Sequence, residues 1–308
     1  MKNIWTTCST AGIALAAFTG AALAAPPALG ASRDEAGPMR IVNYKIEYGS
    51  YTAANSINNK TADAVCPLGT VVLGGGGQVG GAPGLLGLRE LNPRRTSDGR
   101  YRFTAAAAET GHSTNANWRM RAVAVCGKRP AGYEITDWRT SVKNHGTGFK
   151  AATATCPSGK KPLGYGAKVL GGPNNVSLRS MVVLPWMQRR AVQASASEAA
   201  VNTFNPWSVS SRAVCATSSK GQREYAGEWF GDGSPAGVTR TAACPAGRKP
   251  LGAGMAVSAD RHILRNLLVR SVYPFRHSGG SGSVTIFSED WNGTSGPWKA
   301  NARVICAP

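Results

Sequence analysis

A motif that occurs three times with constant internal spacing constrains this chain more than any other feature. Each copy opens with Cys-Pro-x-Gly and continues, after three intervening residues, with Leu-Gly-x-Gly; the copies begin at Cys66, Cys156 and Cys244. Each copy closes with a tryptophan eight residues before a second cysteine, as the pairs Trp118 and Cys126, Trp207 and Cys215, and Trp298 and Cys306. The sequence therefore predicts three tandem copies of one unit of about ninety residues.

The repetition also predicts a pairing of the cysteines. Cys8 lies upstream of the first copy, and six cysteines allow about 15 pairings. The simplest scheme joins the two cysteines of each unit, as Cys66–Cys126, Cys156–Cys215 and Cys244–Cys306. Such a bond closes a loop of about 60 residues and stabilises by roughly 4 kcal/mol in the chain-entropy treatment. Structural zinc is the competing interpretation, but no Cys-x-x-Cys pair exists and the four histidines are not repeated.

The pattern within a unit favours strands. Short β-branched or apolar segments are bounded by Gly, Pro, Asn and Ser, as in residues 119–125, 182–184, 208–214 and 284–287. No run sustains a helical period, so the predicted fold class is all-β, made of three disulfide-stapled units. The Cys-Pro-x-Gly glycines predict turns, and the Gly74–Gly77 run predicts a turn and close packing. The three repeated tryptophans are expected in the core.

The predicted domain boundaries follow the repeats: a signal peptide over 1–24, a flexible leader over 25–40, and units over 41–129, 130–219 and 220–308. The joints between units are short. Two arrangements remain open: the units close around a pseudo-threefold axis, or they form three small β domains.

Export and charge indicate the class of partner. An apolar stretch from Ala11 to Ala24 ends in Ala22-Leu23-Ala24, which is typical of a secretory signal peptide. No other stretch approaches the roughly 20 apolar residues of a membrane helix. The chain has 35 Lys plus Arg against 16 Asp plus Glu, a net charge of +19. We therefore expect a secreted, monomeric protein without a membrane span or cofactor, whose partner is an anionic polysaccharide or cell-surface polymer, with non-specific nucleic-acid binding as a further consequence of charge.

The repeated signatures resemble those of exported proteins of actinobacteria and related bacteria. The resemblance rests on the Cys-Pro-x-Gly and Leu-Gly-x-Gly opening, the proline steps at Leu91-Asn92-Pro93, Leu184-Pro185 and Tyr273-Pro274, and the tryptophan-cysteine ending. It implies secretion and a β fold but no catalytic residues. A weaker similarity, the threefold repetition of disulfide-bonded β units, is to the β-prism of vitelline membrane outer layer proteins.

Three sets of polar residues recur at equivalent positions of two or all three units. Basic residues follow the proline step in every unit, and we predict that they bind anions: Arg94, Arg95, Arg189, Arg190, Arg276 and His277. A second basic set, Lys160-Lys161 and Arg248-Lys249, follows two of the Cys-Pro-x-Gly turns. The acidic residues Glu109, Glu198 and Glu289 each stand nine residues before the tryptophan of their unit. They either converge on a shared metal or acid/base site, or accept hydrogen bonds inside their own units.

Known catalytic motifs are absent from the sequence, including the nucleophile elbow, the zinc-protease helix and the phosphate-binding loop. The leading hypothesis is a non-enzymatic binding protein that engages an anionic or carbohydrate surface through repeated basic loops. The alternative is a secreted hydrolase or lyase that acts on an acidic polysaccharide, with a single site drawn from residues such as Glu109, His112 and His262. A protein-binding role, such as inhibition of an exported protease, stays open.

Overall fold

The computed structural model describes residues 40–81, 86–110, 116–145, 148–172, 174–198, 205–217, 221–231, 238–259, 267–289 and 298–308, and the statements below concern these residues. The expected signal peptide and nearly all of the leader lie outside them, as do His112 and His262. Within the described residues the chain is all-β, as predicted. The three disulfides join Cys66 to Cys126, Cys156 to Cys215 and Cys244 to Cys306, which confirms the predicted pairing.

The three units contribute equivalent sets of strands. The first contains β1 (Lys45–Tyr48), β2 (Asn59–Val65), β3 (Val71–Gly81), β4 (Leu86–Arg95), β5 (Tyr101–Glu109) and β6 (Trp118–Gly127). The second contains β7 (Glu134–Ile135), β8 (Arg139–Thr140), β9 (Phe149–Thr155), β10 (Lys160–Gly171), β11 (Val176–Leu184), β12 (Ala191–Glu198) and β13 (Trp207–Thr217), with a short 3-10 turn at Pro185–Met187. The third contains β14 (Arg223–Ala226), β15 (Phe230–Gly231), β16 (Val238–Ala243), β17 (Lys249–Ala259), β18 (Leu267–His277), β19 (Gly280–Glu289) and β20 (Trp298–Ala307).

Three sheets each combine strands from two units. The first sheet has the order β1-β6-β3-β18-β19-β16 and joins the first unit to the third. The second has the order β2-β5-β4-β10-β13-β7, with β8 also on β13, and joins the first unit to the second. The third has the order β14-β20-β17-β11-β12-β9, with β15 also on β20, and joins the second unit to the third. Because every sheet draws on two units, a closed arrangement describes the chain better than separate domains, and it is compatible with a β-prism.

The Leu-Gly-x-Gly motif explains how the units approach one another. Its leucine is the extra residue of a β-bulge in β3, β10 and β17, and all three leucines, Leu73, Leu163 and Leu251, are fully buried. The glycines that follow are in mutual contact. A Cβ on Gly164 would lie 2.7 Å from Gly74 Cα, one on Gly74 would lie 3.0 Å from Gly252 Cα, and one on Gly252 would lie 2.8 Å from Gly164 Cα. These glycines therefore form a closed ring at the pseudo-threefold axis.

A second ring of contacts joins the start of each unit to the strand after a Cys-Pro-x-Gly turn. Tyr44 of the first unit donates to the Pro250 carbonyl of the third, at 2.8 Å. Tyr133 of the second donates to the Val72 carbonyl of the first, also at 2.8 Å. Gln222 of the third completes the ring by donating to the Pro162 carbonyl of the second, at 2.8 Å. The short joints between units therefore bind each unit to the preceding one.

The local predictions have different outcomes. The Cys-Pro-x-Gly glycines do form turns, because Gly69, Gly159 and Gly247 all have positive φ, from 76° to 77°. At Gly74–Gly77 the predicted turn is wrong, since these residues lie inside β3. The close packing predicted there is confirmed, because contacts with neighbouring strands leave no space for side chains. The repeated tryptophans Trp118, Trp207 and Trp298 are 1%, 0% and 3% exposed and belong to one apolar core shared by all units, as predicted.

Candidate anion-binding site

Except for Arg94, the basic residues that follow each proline step lie at the ends of β-hairpins, near the Cys-Pro-x-Gly turns. We call these turns tip 1 (residues 95–101), tip 2 (185–190) and tip 3 (275–281). The backbone N–H of each unit's first cysteine donates to the end of its tip: Cys66 to the Tyr101 carbonyl at 2.9 Å, Cys156 to that of Arg190 at 2.8 Å, and Cys244 to that of Ser281 at 2.8 Å. Each disulfide therefore anchors a cationic turn in the same way.

Tip 1 forms one wall of a surface cavity of about 320 Å³. The opposite wall is the Cys-Pro-x-Gly turn of the first unit, residues 66–71. Three guanidinium-bearing residues line the cavity, Arg95, Arg100 and Arg129, and the only carboxylate on its lining is that of Asp98. A site with this charge balance and shape suits a phosphate, sulfate or carboxylate group.

Two of these arginines are held by an aromatic ring. The guanidinium carbons of Arg95 and Arg129 lie 5.9 and 5.4 Å from the Tyr101 ring centre, and Arg129 also donates to the Tyr101 hydroxyl at 2.5 Å. Arg129 lies 4.9 Å from the ring centre of Tyr133, whose hydroxyl belongs to the inter-unit ring. Burial raises the pKa of Tyr133, so this hydroxyl stays protonated at neutral pH. The two cations are therefore positioned before any ligand arrives.

The acceptor capacity of Asp98 is largely used within tip 1. Its carboxylate accepts from the Thr96 hydroxyl and from the Arg100 backbone N–H, and it lies 3.6 Å from the Arg102 guanidinium. The hydrogen bonds from Thr96 and Arg100 lower the pKa of Asp98. The carboxylate thus shapes the turn rather than pairing with the three arginines of the cavity.

Arg94 does not share this cavity. Neighbouring residues of a strand point to opposite faces, and the Arg94 side chain pairs with Asp63 at 3.2 Å and donates to Thr104 at 2.8 Å. Arg102 also donates to Asp63, at 3.1 Å. Although burial acts to raise the pKa of Asp63, the hydrogen bonds from Thr104 and Arg102 and the charge of Arg94 lower it overall. The structure therefore places Arg94 in an ion-pair network on the strand.

We expect Asp63→Asn to destabilise the protein by about 1 kcal/mol at pH 7, since both paired arginines are partly exposed. The folded-state pKa of Asp63 lies below its ordinary value of 3.8, so its contribution is present above that value and is lost as pH falls through the folded pKa. Urea unfolding of both proteins at pH 7 and pH 2 measures this. An equal difference at the two pH values contradicts the ion-pair role.

Tip 3 carries a second group of cations. Arg276 and Lys249 lie 5.6 and 5.7 Å from the ring centre of Tyr44, and Lys249 donates to the Ile41 carbonyl at 2.9 Å. Burial and the nearby charges of Arg276 and Arg40 lower the pKa of Lys249. His277 is exposed and stacks on Phe275 with ring centres 5.0 Å apart. Tyr44, like Tyr133 beside tip 1, donates a hydrogen bond to another unit and lies among cations.

Tip 2 differs in its turn. After Pro185–Met187, the non-glycine residues Gln188 and Arg189 have φ of 52° and 56°, which turns the chain sharply. Arg189 is exposed and Arg190 is partly buried. Trp186 at the start of the turn is 76% exposed. Tip 2 therefore presents an indole beside its two arginines.

Two of the recurrent glutamates accept hydrogen bonds inside their own units. Glu109 is 3% exposed and accepts from the Trp118 indole at 3.2 Å. Glu198 is 1% exposed and accepts from the Trp207 indole at 2.9 Å. Glu289 ends β19, and its side chain lies outside the described residues. Among the described residues, no group of three or more His, Cys, Asp or Glu side chains is placed to hold a metal ion.

A buried lysine accompanies the tryptophan in two of the three units. Lys60 Nζ lies 4.9 Å from the Trp118 ring centre, and Lys150 Nζ lies 4.2 Å from that of Trp207. Burial lowers the pKa of both lysines overall, although the charge of the glutamate in the same unit acts to raise it. Val238 occupies the equivalent position of the third unit, six residues before its first cysteine. Two units therefore have an ionic core cluster that sequence reasoning missed.

Sequence reasoning also missed part of the tip 1 cavity. Arg100, Tyr101 and Arg129 are not among the anion-binding residues that the sequence predicts. The Tyr101 spacing after the proline step is not repeated, so repetition alone could not identify it. No protein-family model matches this chain, and a search of curated proteins gives no significant match.

No helix among the described residues is long and apolar enough to cross a membrane. Three disulfides of about 60 residues' separation are typical of proteins that fold in an oxidising compartment.

Proposed function

We propose that this chain is a secreted, non-enzymatic protein that binds anionic polymers through its three cationic tips. The observation that carries the proposal is the tip 1 cavity, where Arg95, Arg100 and Arg129 face one carboxylate that the turn itself engages. Guanidinium groups offer two parallel donors to a phosphate, sulfate or carboxylate, so a cavity lined by three of them favours an anion over a neutral group.

The threefold repetition favours a polymer over a small anion. Each tip is anchored to its first cysteine by the same hydrogen bond, and the closed sheets hold the tips in fixed relative positions. A ligand with many negative groups can contact more than one tip, and weak contacts then multiply into useful affinity. Acidic polysaccharides and cell-surface polymers have this chemistry, and nucleic acid binds non-specifically by the same charges.

The apparent signal peptide and the three disulfides support a secreted destination. The net charge of +19 favours association with acidic surfaces outside the cell.

Binding of dextran sulfate and of polygalacturonate, measured between about 50 mM and 500 mM NaCl, tests the proposal. We expect the logarithm of the association constant to fall linearly with the logarithm of salt concentration, with a slope of about −3 or steeper if several cations engage at once. A neutral dextran of the same length, measured at each salt concentration, reports the part of the binding that does not depend on charge. Binding that is absent at low salt, or that does not change with salt, contradicts the proposal.

A further inference from the structure

The edge of the third unit contains a groove that the cationic tips do not include. It lies between residues 228–230, at the start of β15, and the middle of β16. Its volume is about 360 Å³, and its lining consists of Glu228, Trp229, Phe230, Thr239, Arg240 and Thr241. Small-ligand sites commonly have volumes of about 300–1,000 Å³, so the groove is large enough for one sugar ring.

The two aromatic side chains of the groove have different environments. Phe230 packs edge-on against the buried Trp298, with ring centres 5.9 Å apart, and the Arg240 guanidinium lies 3.7 Å from its ring centre. Trp229 is 50% exposed, and the guanidinium of Arg303 lies 5.9 Å from its ring centre. Phe230 therefore fixes the groove to the core, while Trp229 offers a ring surface to solvent.

The internal repeat supplies a comparison for Trp229. Tyr51, Thr140 and Trp229 occupy equivalent positions of the three units. In each unit, the backbone of the following residue pairs with the residue six positions before the second cysteine. In the first unit, Arg119 and Arg121 lie 4.4 and 4.6 Å from the Tyr51 ring centre. The second unit has no ring at this position. Two guanidinium groups therefore lie against the ring of the first unit, whereas the ring of the third unit lines a groove.

The polar groups of the groove define the class of ligand. Arg240 donates to the Thr239 carbonyl at 2.9 Å, which holds its guanidinium across Phe230. Arg303 is paired with Glu224 at 2.8 Å, so the cation nearest to Trp229 is already neutralised. Glu228 is exposed on the lining, and its carboxylate opposes an anionic ligand but can accept hydrogen bonds from neighbouring hydroxyl groups.

We propose that this groove binds a neutral pyranose sugar, with one sugar face packed on the Trp229 indole. Glu228 accepts hydrogen bonds from adjacent sugar hydroxyls, and the hydroxyl groups of Thr239 and Thr241 and the Arg240 guanidinium provide donors around the ring. This site is additional to anion binding at the tips. It gives the protein a contact with neutral glycan that depends little on salt.

Affinity electrophoresis in gels that contain soluble β-glucan, α-glucan or mannan, repeated by equilibrium binding in about 1 M NaCl, tests the groove. At this salt concentration the screening length is about 3 Å, so polyanion-type attraction is suppressed. We expect at least one neutral polymer to bind the wild type, and Trp229→Ala to weaken that binding at least about tenfold. Tyr51→Ala, the equivalent change in the first unit, is expected to leave it within about twofold.

Glu228→Gln provides a second variant on the surface of the groove, and thermal unfolding establishes that each variant is folded. We expect it to weaken neutral-sugar binding while preserving salt-sensitive binding of dextran sulfate. Failure of every neutral polymer to bind the wild type, or full binding by Trp229→Ala, overturns the groove proposal. Neither result affects binding of anionic polymers at low salt, so the two proposals fail separately.

Discussion

Gly74→Ala is expected to destabilise the protein by at least about 3 kcal/mol, because the new methyl group has no space at the pseudo-threefold axis. Its Cβ would collide with the Leu251 carbonyl oxygen and lie 3.0 Å from Gly252 Cα. These are backbone atoms of another unit, so no side-chain rotation can relieve the overlap. The axis must then open, and opening it disturbs all three sheets.

Gly80→Ala in the same strand is the matched control. At Gly80 a Cβ would meet only the Arg119 side chain, at 3.7 Å or more. We expect a change in the free energy of unfolding of less than about 1 kcal/mol, because the alanine also restricts the unfolded chain. Guanidinium chloride unfolding of the oxidised proteins, followed by fluorescence of the buried tryptophans, measures both. Similar stabilities for the two variants contradict the closed ring of glycines.

Replacing Arg95, Arg100 and Arg129 together by serine is expected to weaken dextran sulfate binding at least about tenfold at 100 mM NaCl. Each lost charge-assisted contact is worth about 1.5–3 kcal/mol when it is made in full, and about 1.4 kcal/mol corresponds to a tenfold change. The slope of the logarithm of the association constant against the logarithm of salt concentration should also become shallower by about 2. The reason is that the three cations no longer displace counterions from the polymer.

The control for this variant removes the same charge elsewhere. Arg119, Lys143 and Lys299 are exposed residues near the tryptophan ends of the strands, away from the tips. Their triple replacement by serine is expected to change dextran sulfate affinity by less than about threefold. If both triple variants lose affinity equally, net charge rather than the tip 1 cavity determines binding.

The features that repetition encodes locally could be predicted from the sequence. The disulfides, the Cys-Pro-x-Gly turns and the buried tryptophans each depend on spacings within one unit, and those spacings are constant. The division of each unit between two sheets could not be predicted in the same way. Pairings such as Gly77 with Val272 and Leu91 with Ala167 join distant residues, and three identical motifs do not specify which unit pairs with which.

The glycine-rich run shows why local signals can mislead. Glycine is frequent in turns because it tolerates positive φ, but it is also required where two backbones approach closely. In β3 the second reason applies, since a Cβ on Gly76 would overlap the Val272 carbonyl oxygen of the third unit. That neighbour is almost two hundred residues away in sequence, so its presence depends on the closed fold.

The candidate site was predictable in outline only. The proline step located the basic turns. Arg95 lies over Tyr101, which packs against Tyr133 of the second unit, and Arg276 lies near Tyr44, which bonds to the third unit. The alternation of side chains along β4 separates Arg94 from Arg95, and the partners of Arg94 lie on β2 and β5. Arg129 reaches the cavity because the joint between units folds back onto tip 1, which depends on the inter-unit ring.

The most direct test of the central claim is to incubate the mature, oxidised protein with acidic and neutral polysaccharides at low and high salt. Both the protein retained by each polymer and the fragments released from it are measured. The account predicts retention by acidic polymers that is lost at high salt, with every polymer remaining intact. Release of fragments from an acidic polymer, or no retention by any acidic polymer at low salt, would contradict it.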